Sequence, residues 1–315
     1  VSFMQDDISQ NQSDDFVASN RVSLDWQYSH SLSAHTLTAG LYAIDENAET
    51  LSFGSGFDED TSIRAVFVQD QWSRGRHRSF VALRLTDHES FGNHTTWNAE
   101  YAFDINDAWS LTAGIGHAFR APDATDRYGF GGSPDLQPEV ADEAQVGLHY
   151  APGTKHRVDI ELYSNDIEDL IEFDLATFTL QNIAAAEIRG AEISYEYRGE
   201  NFVFRAEAVR QKADNAKTGQ RLLRRAEESA TVSFTRDFGE HRMGLSVFAS
   251  GDREDFGSVE LDGYVIASLS AQFALSDDWS LHGRIENLLD TEYQTAASFR
   301  MQDRSGFVEL KYRWR

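Results

Sequence analysis

Two copies of one tripeptide, Asp237-Phe238-Gly239 and Asp255-Phe256-Gly257, spell the magnesium-holding Asp-Phe-Gly of phosphoryl-transfer sites. Neither is accompanied by the glycine-rich phosphate loop or the His-Arg-Asp segment that such chemistry needs, so both read as turns at strand ends. His88 and His94 flank a loop and are the right residue type for metal ligands. No second ligand pattern stands beside them, and they read as solvated loop residues. The acidic runs Asp58-Glu59-Asp60 and 252–255 could hold a hard cation weakly, and they too read as solvated loops. No serine, histidine and aspartate fall at a spacing that argues for a nucleophile and its base. The 315 residues contain no cysteine, which removes disulfides, thiolate metal sites and thiol nucleophiles. No catalytic residue, metal site or cofactor is expected, and the chain does not read as an enzyme.

Composition narrows the partners. With Lys+Arg 28 against Asp+Glu 52, the formal net charge of −24 would repel a phosphate backbone, so nucleic acid is not expected as a partner. No apolar run approaches the roughly 18 residues of a membrane helix, and the first residues have neither the basic start nor the apolar stretch of a signal peptide. A membrane β-barrel stays open, because its lipid face is spread over every second residue and keeps the mean hydropathy low, here −0.48.

The elements that position any site follow from a period of two. Val22, Leu24, Trp26 and Tyr28 alternate with Arg21, Ser23, Asp25 and Gln27, which predicts a strand with one apolar and one polar face. The same alternation recurs at Leu37 to Ala43, Trp97 to Phe103, Trp109 to Ile115, Met243 to Ala249, Val265 to Phe273 and Val308 to Trp314. Short connections of turn composition fall at Ser276-Asp277-Asp278, Gly239-Glu240, Gly199-Glu200, Pro152-Gly153-Thr154, 104–107, Arg74-Gly75-Arg76 and 30–35. Longer polar connections separate them, at 289–304, 251–261, 213–226, 120–141 and 50–60. Strict alternation of short and long connections sorts the tight turns to one rim of an up-and-down sheet and the long loops to the other. The count is about fifteen complete strands and a partial one over 1–7, within the range of outer-membrane barrels. The segments 157–174 and 177–198 exceed the roughly ten residues that cross a bilayer and are expected to project beyond it.

Trp26, Trp72, Trp97, Trp109, Trp279 and Trp314 fall near strand ends in this reading, and with Tyr312 they suit the headgroup level of a membrane better than a soluble core. Arg21, Asp25, Glu196, Arg205, Glu207, Arg284, Glu286, Glu309, Lys311 and Arg313 occupy the polar alternates, which in a barrel face the lumen.

Three stretches carry a resemblance. The first is Gly116-His117-Ala118-Phe119-Arg120-Ala121-Pro122, which leads into Tyr128-Gly129-Phe130-Gly131-Gly132-Ser133-Pro134-Asp135-Leu136-Gln137-Pro138-Glu139. The second is Asn182-Ile183 followed by Gly190-Ala191-Glu192, and the third is Glu286-Asn287-Leu288-Leu289-Asp290-Thr291-Glu292-Tyr293. In this order they resemble the TonB-dependent outer-membrane receptors, from about Thr61 to the end of the chain. Leu222-Leu223-Arg224-Arg225-Ala226, the Tyr128 loop and Tyr293-Gln294-Thr295 with Arg304 are most similar to the vitamin B12 (cobalamin) receptor branch.

The resemblance implies an all-β, up-and-down antiparallel transmembrane barrel in the Gram-negative outer membrane. This chain would supply the C-terminal strands, about sixteen of roughly 22, with the plug domain and first strands outside it. It implies a scarce ligand, cobalamin or alternatively a ferric siderophore, with loop candidates Tyr128, Phe130, Tyr293 and Arg304. It also implies energy from TonB through the N-terminal part, insertion by the barrel-assembly machinery, and contact with outer-membrane lipid. The family closes on an aromatic residue, whereas here Arg315 follows Trp314. A passive porin, a barrel-type enzyme and a soluble β-rich protein are the rivals.

Overall fold

A chain with apolar side chains on every second residue can gather them only on one side of a sheet, and nearly all of this chain is sheet. The computed structural model describes residues 2–9, 14–52 and 54–314. Strands β1 (Ser2–Ser9), β2 (Phe16–Leu32), β3 (His35–Ser52) and β4 (Ser55–Arg74) are followed by β5 (His77–His88), β6 (Gly92–Asp104) and β7 (Trp109–Arg120). One short helix, α1 (Ala124–Tyr128), precedes β8 (Glu139–Tyr150), β9 (His156–Asp174), β10 (Thr179–Arg198) and β11 (Phe202–Asn215). Next come β12 (Glu228–Phe238), β13 (His241–Ser250), the small hairpin β14 (Arg253–Asp255) and β15 (Val259–Leu261), and β16 (Tyr264–Ala274). The chain continues through β17 (Trp279–Glu286), a second small hairpin of β18 (Gln294–Ala296) and β19 (Phe299–Arg300), and β20 (Ser305–Tyr312).

All but the two small hairpins join one 16-stranded antiparallel sheet in which every strand pairs with its sequence neighbours, β1 to β13 and then β16, β17 and β20. Among the described residues β1 pairs only with β2, and β20 only with β17. Among the described residues no helix is long and apolar enough to cross a membrane. Val1 and Arg315, named above for the partial strand and the closing residue, lie outside the described residues.

The sorting of connections holds on the tight rim, where Ser33, Gly75 and Gly239 turn the chain with positive φ of 55°, 64° and 65°. On the opposite rim one expectation is overturned. The polar run 50–60 is not a loop: β3 and β4 stay zipped to Ser52↔Ser55, and Asp58 and Asp60 sit on β4, where both accept from the Asn47 amide (2.8 and 3.1 Å). Above the bilayer both faces of a strand meet water, so polarity there does not signal a break in pairing. The two long segments form β9 and β10, strands of 19 and 20 residues paired from His156↔Tyr197 to Asp174↔Thr179, well beyond the roughly ten residues that cross a bilayer.

Registers place the apolar alternates of neighbouring strands side by side, as in Leu41↔Val66↔Leu85, Val146↔Leu162, Val232↔Val247 and Leu281↔Leu310. These side chains are exposed: Leu162 is 57% and Val308 78% open. A continuous exposed apolar belt of this extent demands a lipid solvent. Below the belt, at the tight rim, aromatic rings follow one another from strand to strand: Trp72 on His77 (6.4 Å), Trp109 on Tyr150 (4.3 Å), His156 on Tyr197 (4.8 Å), Phe202 on Phe234 (5.5 Å) and Trp279 on Tyr312 (4.7 Å). Trp314, 85% exposed, meets Tyr312 edge-on at 4.9 Å. Trp26 and Trp97 differ from expectation, lying within their strands opposite Leu41 and Leu83.

On the other face the polar alternates pair with one another, Arg21 with Glu46 (2.6 Å), Arg205 with Glu196 (2.6 Å), Arg284 with Glu286 (3.0 Å) and Lys311 with Glu309 (3.1 Å). The two faces should respond oppositely to charge. Leu245→Arg, in the belt on β13, is expected to cost about 2–4 kcal/mol of folding free energy in a bilayer, and Ser246→Arg, its neighbour on the polar face, well under 1 kcal/mol. Urea unfolding of the two variants from vesicles measures the difference.

Candidate functional site

Above the belt the strands no longer meet lipid, and what holds the chain there is a set of polar clasps under the long loops. The first clasp joins the two halves of the motif around 116–139. Arg120, at the end of β7, donates twice to Glu139, at the start of β8 (2.6 and 3.1 Å), and once to Asp126 of α1 (3.1 Å). Burial pushes the Glu139 carboxyl up, but the Arg120 guanidinium and the Ile171 N–H (2.7 Å) outweigh it and hold Glu139 below its ordinary range. The hydrogen bond to Glu139 leads the causes that raise Arg120. The helix is closed by a capping box, Asp123 accepting from the Asp126 N–H (2.7 Å) and Asp126 from the Asp123 N–H (3.3 Å). Pro122 is buried and Pro138 half-buried at the two ends of this loop, and Phe119 stacks on His94 at 4.1 Å.

The second motif supplies the next clasp. Asn182 on β10 pairs with Gln137 as a backbone segment would, accepting from its N–H (2.8 Å) and donating to its carbonyl (2.9 Å), and it also donates to the Asp169 carbonyl (2.6 Å). Gly190 lies under Tyr163, where a Cβ would come within 2.4 Å of the ring. Glu192 is on the polar face, opposite Glu161 on β9 and Val209 on β11.

The third motif holds the last loop. Asn287, buried and at φ 47°, accepts from the Thr291 N–H (2.9 Å) and donates to the Thr291 carbonyl (2.9 Å). Asp290 accepts from the Arg304 N–H (3.0 Å), with the Arg304 guanidinium 3.8 Å away. Glu286 precedes this turn, on the polar face beside Arg284.

One further contact ties three loops together. The Asp255 side chain is fully buried and accepts from Arg224 (2.8 Å), the Phe256 N–H (2.7 Å) and the Ala297 N–H (2.5 Å). It thereby connects the loop 216–227, the β14–β15 hairpin and the β18–β19 hairpin. Burial pushes this carboxyl up, and the three donors together outweigh burial and hold it below the ordinary carboxylate range. Asp255 is therefore neither a weak cation ligand nor a solvated loop residue, as its acidic run suggested; it is a structural anion. His88 also departs from the solvated reading: it is buried, and its Nδ1 accepts from the Ser90 N–H (3.2 Å).

Over these clasps lies an aromatic ridge. Phe130 meets Phe178 edge-on (5.8 Å), Phe178 meets Phe173 (5.2 Å), Phe173 meets Phe256 (6.3 Å), and the Arg224 guanidinium sits over the Phe256 ring (4.9 Å). Tyr128 faces Phe57 at 6.4 Å with Arg127 over its ring. Tyr293 packs on Tyr264 at 4.2 Å and lines a cleft of about 300 Å³ with Glu260, Glu292 and Arg300. The loop candidates thus form two groups, Tyr128 and Phe130 on one loop and Tyr293 and Arg304 on another, joined by the Phe173–Phe256–Asp255 chain. Sequence reasoning named Asp255 and Phe256 only as a turn and an acidic run, and it missed Phe173 and Phe178. The usable signal was the acidic run 252–255 together with the double arginine 224–225.

Asp255→Asn removes one charge-assisted contact from each of three loops, worth roughly 1.5–3 kcal/mol. Trypsin cleavage at Arg224, Arg225 and Arg300 is expected to accelerate at least about tenfold while the strands stay resistant. Because the folded Asp255 is shifted down, its contribution is present above the ordinary aspartate value of about 3.9 and is lost as the pH falls through the lower folded value. A fluorophore at Ser298→Cys, unique in a cysteine-free chain, should report an acid step that Asp255→Asn lacks.

The family model described as TonB dependent receptor-like, beta-barrel, matches residues 2–288, reaching further toward the start than the motifs alone indicated. The chain is 30% identical over 298 residues to the vitamin B12 transporter BtuB of Vibrio vulnificus, covering 89% of this chain and 48% of that protein. It is 26% identical over 288 residues to the vitamin B12 transporter BtuB of Vibrio cholerae, covering 89% of this chain and 46% of that protein. It thus spans about half the length of the curated relatives it matches. Among solved structures, the copper transporter OprC superposes with a TM-score of 0.80 at 16% identity, covering 95% of this chain and 57% of that one. The ferric enterobactin receptor PfeA of Pseudomonas aeruginosa gives 0.80 at 15% identity, covering 94% and 54%. At these identities the two structures speak for the fold alone.

Proposed function

The chain belongs to the TonB-dependent receptor β-barrel family, a family of outer-membrane proteins, and on that premise we propose that it forms the ligand-capturing barrel wall and surface loops of a cobalamin transporter. The observation that carries the ligand is the 30% identity, over 89% of this chain, to a vitamin B12 transporter. The loop surface agrees with it. Cobalamin is a large, nearly flat macrocycle with amide arms, and the rings of Phe130, Phe178, Phe173 and Phe256 offer apolar area in orientations fixed by one another.

In this reading the remaining barrel strands, the lumen-filling plug and the TonB contact lie outside the chain, and the free edges of β1 and β20 receive those strands. The clasps at Asp255, Arg120–Glu139, Asn182 and Asn287 preorganise the loops, so that binding does not have to order them. The porin-permeated outer membrane sustains no ion gradient of use, so energy comes from TonB pulling the plug once the ligand has shifted it.

The intact protein should bind cyanocobalamin in preference to ferric enterobactin, read by isothermal titration in detergent. Phe130→Ala and Tyr293→Ala are each expected to weaken cyanocobalamin binding by about tenfold, the loss of ~1.4 kcal/mol. Binding of a ferric siderophore with no binding of cyanocobalamin would replace the ligand and leave the transporter reading in place.

A further inference from the structure

The outward face of β10, β11 and β12 departs from the rest of the belt in two ways that point to one ligand. Going up β10 on the outward alternates, Tyr195, Ile193 and Ala191 give way to Arg189 and then Glu187. Going up β11, Phe204, Ala206 and Ala208 give way to Arg210, Lys212 and then Asp214. From the bilayer outward this face is apolar, then cationic, then acidic. Arg189 stands directly opposite Lys212, and Arg210 is the next outward residue on the same strand. Like charges directly opposite in a sheet repel and destabilise it. The other like-charge neighbours at this height are acidic, Asp142↔Asp166↔Glu187↔Asp214, whereas Arg64 is paired with Asp45 at 2.7 Å; Arg189↔Lys212 sets two cations opposite each other.

The three cations have carboxylate neighbours but keep most of their donors. Arg189 is bonded to Glu187, Arg210 lies 3.5 Å from Glu228, and Lys212 lies 3.7 Å from Asp214. Their side chains are nevertheless 66%, 80% and 73% exposed. An arginine carries five N–H donors and a lysine three, so one carboxylate each leaves a convergent set of donors facing outward.

The second departure lies just beneath. Ala208, Ala230 and Ala249 are cross-strand neighbours in one row, with Ile193 beside Ala208 and Val265 beside Ala249. Three small side chains adjacent in one row leave a trough of about 560 Å³, roofed by Arg210 and Glu228. An apolar trough on a lipid-facing wall is filled by an acyl chain, and the cations over it meet whatever that chain is attached to.

We propose that this face is a binding site for a phosphorylated glycolipid of the outer leaflet, with a phosphate held by Arg189, Arg210 and Lys212 and an acyl chain lying in the Ala208–Ala230–Ala249 trough. The site is separate from the loop ridge and does not depend on which ligand the loops capture. Its charge complementarity is local, since the chain as a whole is strongly acidic. Arginine suits the headgroup because its planar fork binds phosphate in a bidentate manner while its stem lies along the apolar wall.

The test is native mass spectrometry of the intact protein from phosphatidylcholine nanodiscs doped with lipopolysaccharide or with phosphatidylglycerol. The wild type should retain lipopolysaccharide, and the triple variant Arg189→Ala, Arg210→Ala, Lys212→Ala should retain at least about tenfold less, with cyanocobalamin binding unchanged. Ala230→Phe, which fills the trough and leaves the cations in place, should also weaken retention. Heat-modifiable electrophoretic mobility verifies that each variant is folded, and the triple variant decides the matter if Ala230→Phe does not insert. Equal retention by wild type and triple variant overturns the proposal. So does equal retention of phosphatidylglycerol, which would mean a general attraction for anionic headgroups, or displacement by inorganic phosphate, which would mean a free-anion site.

Discussion

A backbone N–H or C=O left unpaired in hydrocarbon costs several kcal/mol, and between β1 and β20 this chain meets that constraint with one continuous ladder. Every strand of the large sheet pairs with its neighbours in sequence, so each connection is a hairpin and no strand needs a crossover. Pairing fixes register, and register fixes which side chains share a face. Leu41, Val66 and Leu85 fall in one row because the hydrogen bonds put them there, and the belt is the sum of such rows. The aromatic girdle at the tight rim and the ion pairs on the polar face follow from the same alternation.

Beyond the bilayer the constraint relaxes, because water can satisfy the backbone, and a different economy governs. The loops have little apolar surface to bury; the main apolar cluster there is Ala186, Ala213 and Leu222, with Ile167, Leu170, Ile183 and Ile188 around it. Order comes from polar side chains that each accept or donate several times: the buried Asp255 among three loops and the buried Asn287 to Thr291, the half-buried Asn182 to Gln137, and the exposed Arg120 to Glu139. The family motifs are therefore legible as joinery. Most of their residues hold the loops in place, and the aromatic side chains that those loops present are left to make contact.

The strands were legible because alternation is local: Met243 to Ala249 shows its period with no knowledge of its partners. The edges of the loops were not. Residues 50–60 have loop composition yet stay in the ladder, since a strand in water on both faces needs no apolar alternates. Asp255-Phe256-Gly257 carried too little local signal to be distinguished from Asp237-Phe238-Gly239, because the importance of Asp255 lies in Arg224 and Ala297, contacts distant in sequence. For the same reason the motif residues Arg120, Glu139 and Asn182 were identifiable as a pattern, while their mutual bonds were not. Cation placement on β10 and β11 was hidden as well, because it is the register Arg189↔Lys212 that makes those residues neighbours.

Alternate residues of one strand face lipid and the interior of a barrel. The absence of native cysteine makes it directly measurable, with single cysteines introduced along β13 from Arg242 to Ala249, spin-labelled in outer-membrane vesicles and tested against oxygen and a water-soluble nickel chelate. Met243, Leu245, Val247 and Ala249 should relax with oxygen, and Arg242, Gly244, Ser246 and Phe248 with the chelate when the lumen is open. A profile without a period of two, or one in which all eight positions meet the chelate equally, would rule out a lipid-facing and a lumen-facing side to β13.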